Sequence, residues 1–164
     1  MKSESNQRTV GLMTEGERSL YILVVEDHPD TRRALEMFLQ ALGHELKLAS
    51  DVKAALDLAA AGRRFDLLLS DLRLPDGNGW DLLRRLEESG RRPQQAIAIS
   101  GWSSENDLAK SKGAGFRAHL IKPLAPETLI AALVEVTEAI LSEERTEAVQ
   151  DYTAEIDSSR RTDA

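Results

Sequence analysis

The stretch Asp66-Leu67-Leu68-Leu69-Ser70-Asp71-Leu72-Arg73-Leu74-Pro75-Asp76-Gly77-Asn78-Gly79 constrains the fold more than any other part of the chain. It starts as an apolar run too short for a helix, reaches a carboxylate at Asp71, and breaks at Pro75, Gly77 and Gly79. That pattern predicts a buried strand that stops at an Asp and opens into a turn. A strand with no polar alternation belongs to a sheet covered on both faces. In open parallel sheets the rim beyond the carboxyl ends of the strands is where ligands bind. Asp71 is therefore delivered to the edge where chemistry is expected.

The rest of the chain repeats the theme. Leu20 to Val25 is a continuous β-rich apolar run ending at Glu26-Asp27, again a doubly buried strand with acid at its carboxyl end. His28-Pro29-Asp30 opens a helix, with His28 or Asp30 near the cap, Ala34, Leu35, Phe38, Leu39 and Leu42 in register, and Gly43 as the stop. Glu45 to Ala49 alternates and predicts a half-exposed edge strand. Ser50 or Asp51 caps a helix that closes at Gly62. After the opening stretch, Asn78 to Gly90 is helical, with Trp80, Leu82, Leu83 and Leu86 as its apolar positions. Gln95 to Ile99 is a strand ending at Ser100-Gly101. Ser103 or Ser104 caps a weak helix through Lys112, whose main apolar residues are Leu108 and Ala109. Phe116 to Ile121 is the last strand and ends at Lys122-Pro123. Pro126 opens a strongly apolar helix through Leu141, with Leu129, Ile130, Leu133, Val136 and Ile140 in register.

Strand and helix alternate about five times through short connections, which gives an α/β fold with a parallel sheet, helices on both faces and right-handed crossovers. The expected architecture is a flavodoxin-like, doubly wound five-stranded sheet of order 2-1-3-4-5. Residues 1–19 are read as a flexible amino-terminal arm, 20–142 as the domain, and 143–164 as an acidic tail, a short helix extension followed by disorder. With 4% aromatic residues the core must be aliphatic. The absence of cysteine excludes disulfides, thiolate metal sites and Cys nucleophiles. A net charge of -7 argues against nucleic acid as a partner. No segment approaches the roughly 18 apolar residues of a membrane span, and the polar amino terminus has no signal-peptide character. The expected location is cytoplasmic, with no membrane partner.

The carboxyl ends of the strands converge. The first delivers Glu26 and Asp27, the third Asp71, the fourth Ser100 and the fifth Lys122. Clustered carboxylates repel one another. Mg²⁺ relieves that repulsion, because it takes one or two carboxylates together with water and phosphate oxygens. Lys122 supplies a point charge for a phosphoryl oxygen or a carboxylate. Ser100 supplies a hydroxyl, and Gly101 leaves room beside it. The set reads as Asp-centred phosphoryl transfer, with a carboxylate as nucleophile and Mg²⁺ and lysine neutralising charge. Asp71, alone on the central rim, is assigned as acceptor, and Glu26-Asp27 as the metal pair. Pro75, Gly77 and Gly79 are expected to keep the approach to Asp71 open.

From about Tyr21 to Leu141 the chain resembles a response-regulator receiver domain. The resemblance rests on Glu26-Asp27, on Asp71 with Leu74-Pro75 and Gly79 behind it, on Ser100-Gly101 and on Lys122-Pro123. It implies that Asp71 takes a phosphoryl group from a phosphohistidine on a histidine kinase or phosphotransfer protein. It implies Mg²⁺ held by Asp27, Asp71 and the Arg73 backbone carbonyl, with Glu26 assisting through water. It places Lys122 on the acyl phosphate, has Ser100 move to meet it, and makes the Lys122-Pro123 bond cis. Two departures stand out. The first acid of the pair is Glu26 rather than Asp. His119 occupies the position of the family's switch aromatic, as in receivers attached to hybrid sensor kinases.

The resulting expectation is a phosphorylation switch that binds a downstream protein target. It catalyses only its own phosphorylation and dephosphorylation, is a monomer or weak dimer, and carries no DNA-binding output after Leu141. It is either free-standing or the receiver of a hybrid kinase. Two alternatives are an aspartyl-phosphate phosphatase-like enzyme and a non-phosphorylated pseudo-receiver scaffold. The first would want a second acid two residues after the nucleophile, where Arg73 stands.

Overall fold

The computed structural model describes residues 18–101 and 104–162. Strands β1 (Tyr21–Val25), β2 (Glu45–Ala49), β3 (Leu67–Asp71), β6 (Gln95–Ser100) and β7 (Ala118–Ile121) form one five-stranded sheet of order β2-β1-β3-β6-β7. Every pairing in it is parallel. With the strands counted by position this is the expected 2-1-3-4-5 order. The two remaining strands, β4 (Arg73–Leu74) and β5 (Gly77–Asn78), make a small antiparallel hairpin just after β3, where the sequence predicts only a turn.

Side chains alternate across each strand, so one apolar run feeds two cores. Leu23 and Val25 of β1 and Leu68 of β3 pack with α2 (Val52–Ala61) and α3 (Gly79–Glu88). Ile22, Val24, Leu67, Leu69, Ile97 and Ile99 pack on the other face with α1 (Pro29–Ala41) and α5 (Pro126–Thr162). The expected apolar positions of α3, Leu82, Leu83 and Leu86, are all buried. In α5, Leu129, Leu133, Val136 and Ile140 are buried as expected. Helix α4 (Glu105–Ala114) differs, because Ser111 is its one buried residue. Its expected apolar anchor Leu108 is 40% exposed.

Three of the four helix caps fall on residues offered by the sequence, and the fourth is Asn78, read there as the first helical residue. His28 caps α1 by accepting from the Thr31 amide, Asp51 caps α2, Asn78 caps α3 and Ser104 caps α4. Of the expected arm, residues 1–17 lie outside the described residues, as does Ser103, the other cap candidate for α4.

The tail corrects an expectation. Instead of a short extension and then disorder, α5 runs 37 residues to Thr162, about 55 Å at the helical rise. No Gly or Pro interrupts it after Pro126, and Glu, Ala and Arg, all good helix formers, are frequent. Its extension is fastened near the body by Arg18, which pairs with Glu144 and, at 3.5 Å, with Asp66. Gln95 also donates to Glu143 at 3.1 Å. Among the described residues, no helix is long and apolar enough to cross a membrane.

The two parts of the chain should respond differently to mutation. Leu69→Ala removes a fully buried side chain and should lower the unfolding free energy by about 2–5 kcal/mol in urea titration. Ala148→Gly, on the exposed extension, should cost about 1 kcal/mol of local helix stability. It should reduce the far-UV helical signal and leave the midpoint of the main transition unmoved.

Candidate functional site

The first acids after β1 are unequally exposed: Glu26 is buried and Asp27 faces solvent. Asp71, the last residue of β3, is buried at 8% exposure. One carboxylate oxygen from each of Glu26, Asp27 and Asp71 lies within 4.8 Å of the others. The Lys122 ammonium, one residue beyond β7, closes the group. Its Nζ donates to Glu26 Oε2 and to Asp71 Oδ2, each at 2.7 Å. The remaining oxygens of these two acids are also engaged. Glu26 Oε1 accepts the His28 amide at 3.1 Å, and Asp71 Oδ1 accepts the Arg73 amide at 2.9 Å.

Burial alone would push the Lys122 ammonium toward its neutral form, but the hydrogen bonds with Asp71 and Glu26 outweigh it. Lys122 is therefore held above the ordinary lysine value. Formally, one cation faces three carboxylates. The donor set is all oxygen, with a hard negative surplus, and that fits a divalent cation of the Mg²⁺ type better than a softer metal.

Local structure explains how each group is held. The Lys122 amide donates to the Ser100 carbonyl at 2.8 Å, which ties the ends of β6 and β7 together. The Lys122-Pro123 bond is cis, as the resemblance implies. Arg32, on the first turns of α1, donates to the Glu26 carbonyl at 2.8 Å and fixes the turn that carries the acid pair. Gly79 has a steric reason for being glycine, since a Cβ there would lie 2.7 Å from the Asp71 carbonyl oxygen. The expectation that Gly79 keeps the approach to Asp71 open is thus replaced: it lets α3 pack against the backbone of β3.

Ser100, at the end of β6, is buried and lines a cavity of about 380 Å³ together with Arg73, Gly77, Asn78, Trp80 and Asp107. Arg73 follows Asp71 into the hairpin, so its backbone lies at the same rim. His119 sits apart from the carboxylates. Its Nδ1 lies 2.9 Å from Ser111 Oγ, and Trp80 Nε1 donates to the same Oγ at 2.9 Å. His119 Nε2 is buried and meets no partner among the described residues. Ser111 escaped the sequence reading, although a signal existed: it follows Leu108 by three, on the side of α4 where an apolar residue is expected.

The sequence model of the response regulator receiver domain matches residues 22–134. The chain belongs to this family. The receiver is 38% identical over 103 residues to the response regulator protein PilR of Pseudomonas aeruginosa, a match covering 62% of this chain and 22% of that protein. It is 30% identical to the sensory/regulatory protein RpfC of Xanthomonas campestris over 73% of this chain and 17% of that protein. The chain thus matches only about a fifth of the length of either relative. Among solved structures, a signal receiver domain of an HD domain-containing protein from Pseudomonas fluorescens superimposes with a TM-score of 0.69. That neighbour is 29% identical, over 76% of this chain and 99% of the other.

The Lys122 bridge has a measurable consequence. Lys122→Met should lower the unfolding free energy at neutral pH by about 1.5–3 kcal/mol, the range for charged hydrogen bonds. Alkali should shrink the difference. The raised pKa means that Lys122's contribution is complete below the unfolded lysine value, about 10.4, and is lost as pH rises through the higher folded value. Urea unfolding of both proteins across pH checks this.

Proposed function

We propose that the receiver is the phosphoacceptor of a two-component or phosphorelay system, with Asp71 as the residue phosphorylated. The observation that carries this reading is the Lys122 ammonium placed 2.7 Å from a carboxylate oxygen of Asp71 inside an acidic cluster. A carboxylate oxygen of Asp71 attacks the phosphorus of a phosphohistidine. The phosphorus–nitrogen bond breaks as the phosphorus–oxygen bond forms, and the departing imidazole keeps the electron pair and takes a proton from solvent. Asp27, Asp71 and the Arg73 carbonyl would hold Mg²⁺, with Glu26 behind them through water, and the ion would supply charge neutralisation to the transferring group. Lys122 exchanges its contact with Asp71 for the new phosphoryl oxygens, and the Ser100 hydroxyl donates to the same group.

The donor is a histidine kinase or a histidine phosphotransfer protein. Support comes from a groove of about 760 Å³ that shares Lys122 with the site and is lined by Ala34, Leu35, Phe38, Pro123 and Leu124. An apolar groove that reaches Lys122 suits a donor helix that presents its histidine beside it. The output is a protein-binding face that changes on phosphorylation, with His119 in the place of the switch aromatic. The target is a downstream protein rather than nucleic acid, in keeping with the acidic balance of the chain. The receiver acts as a cytoplasmic monomer or weak dimer, and its only turnover is its own phosphorylation and slow hydrolysis.

Incubation with Mg²⁺ and a small acyl or amidophosphate donor, followed by intact-mass measurement, tests the reading. The wild type should gain one phosphoryl group, and Asp71→Ala and Asp71→Asn none. Rapid turnover of unrelated phosphoesters would point to a phosphatase-like enzyme. No adduct together with no response to Mg²⁺ would leave a scaffold.

A further inference from the structure

Asp76 reads in the sequence as an ordinary turn residue, but its carboxylate reaches another element. Oδ1 accepts the Val52 amide at 2.8 Å and Oδ2 accepts the Lys53 amide at 2.9 Å, the first two amides of α2. These are orphan donors at the positive end of a helix, where a carboxylate is favoured. The two amides, Val52 first, hold the Asp76 carboxyl below the ordinary aspartate value. The neighbouring Gly77 packs on the same residue, since a Cβ there would lie 3.3 Å from Val52 Cγ2. The hairpin that carries Asp76 has strands of two residues each, pairing Arg73 with Asn78 and Leu74 with Gly77. A hairpin of that size does not hold its shape alone, and of residues 73–77 only Leu74 is buried.

We propose that Asp76 is a positioning residue for the acceptor site: by clamping the start of α2 it holds the Arg73–Asn78 hairpin, and with it the Arg73 carbonyl, in place for the cation. This rests on the function proposed above, in which that carbonyl is a metal ligand. The same helix end provides an internal control. Asp51 caps α2 independently, accepting the Ala54 amide at 2.7 Å, and belongs to no part of the hairpin. Removing either acid uncaps α2, but only Asp76 connects the cap to the site.

The test compares wild type, Asp51→Ala, Asp76→Ala and Asp76→Asn; the last keeps the side chain's size should the alanine variant fold poorly. Urea unfolding, amide hydrogen exchange of residues 73–78 in Mg²⁺-free buffer, and Mg²⁺ titration by tryptophan fluorescence are measured on each. Both alanine variants should lose stability. Only the Asp76 variants should exchange faster across the hairpin and bind Mg²⁺ more weakly, on the order of tenfold, as for other residues that orient metal ligands. Equal effects of Asp51→Ala and Asp76→Ala on Mg²⁺, or no effect of Asp76→Ala, would overturn the proposal and leave a helix cap. A wild type blind to Mg²⁺ would instead overturn the metal reading itself, and with it this role, whatever the hairpin exchange shows.

Discussion

One ammonium held between two buried carboxylates is the interaction on which the rest of the site depends. Glu26 and Asp71 end neighbouring strands of a parallel sheet, so their charges are forced into proximity by the same hydrogen-bond ladder that stabilises the fold. Removing one partner from such a group leaves uncompensated charge in a low-dielectric place. Lys122 prevents this, and its position follows from the last two strands, β6 and β7, joined at their ends by the Lys122 amide. The Asp71 carboxylate, its counter-charge and the sheet order are therefore one constraint seen at three scales. The longer side chain of Glu26 fits this picture. With one oxygen on the His28 amide and the other on Lys122, it serves as the lysine's second anchor as well as part of the acidic cluster.

Much of this was legible in the chain, because burial and strand ends leave marks in sequence. Runs such as Leu20–Val25 and Leu67–Leu69 betray doubly buried strands, and the acids that close them, Glu26 and Asp71, lie at the rim. Glu26, Asp27, Asp71, Ser100 and Lys122 could be placed together on that argument alone. What stayed hidden depends on contacts between elements that no local pattern encodes. Asp76 looks like turn chemistry in Leu74-Pro75-Asp76-Gly77, yet its hydrogen bonds go to a helix more than twenty residues earlier. Gly79 looks like a loop glycine, yet its lack of a side chain answers to the Asp71 carbonyl. The length of α5 was missed for a different reason. Acidic composition suggested disorder, while the absence of helix breakers allowed the helix to continue.

The side of the molecule around His119 is built differently from the acidic rim. Helix α4 has little apolar surface to bury, and Ser111 joins it to Trp80 of α3 and His119 of β7 through two hydrogen bonds of 2.9 Å. Lys110 adds a cation over the Trp80 ring at 4.1 Å. Polar attachments of this kind are directional, so a small shift of the β7 end breaks or remakes them. His119, which the resemblance sets at the family's switch position, is thus already engaged with α4.

The central claim is that this acidic rim, balanced by Lys122, is built to hold one divalent cation beside Asp71. A crystal structure determined with Mg²⁺ and a phosphoryl mimic tests it most directly. The account predicts a single ion about 2.1 Å from oxygens of Asp27, Asp71 and the Arg73 carbonyl, with Lys122 turned to the mimic on Asp71. An ion bound elsewhere, or an empty rim with Lys122 still bridging Glu26 and Asp71 at saturating Mg²⁺, would contradict it.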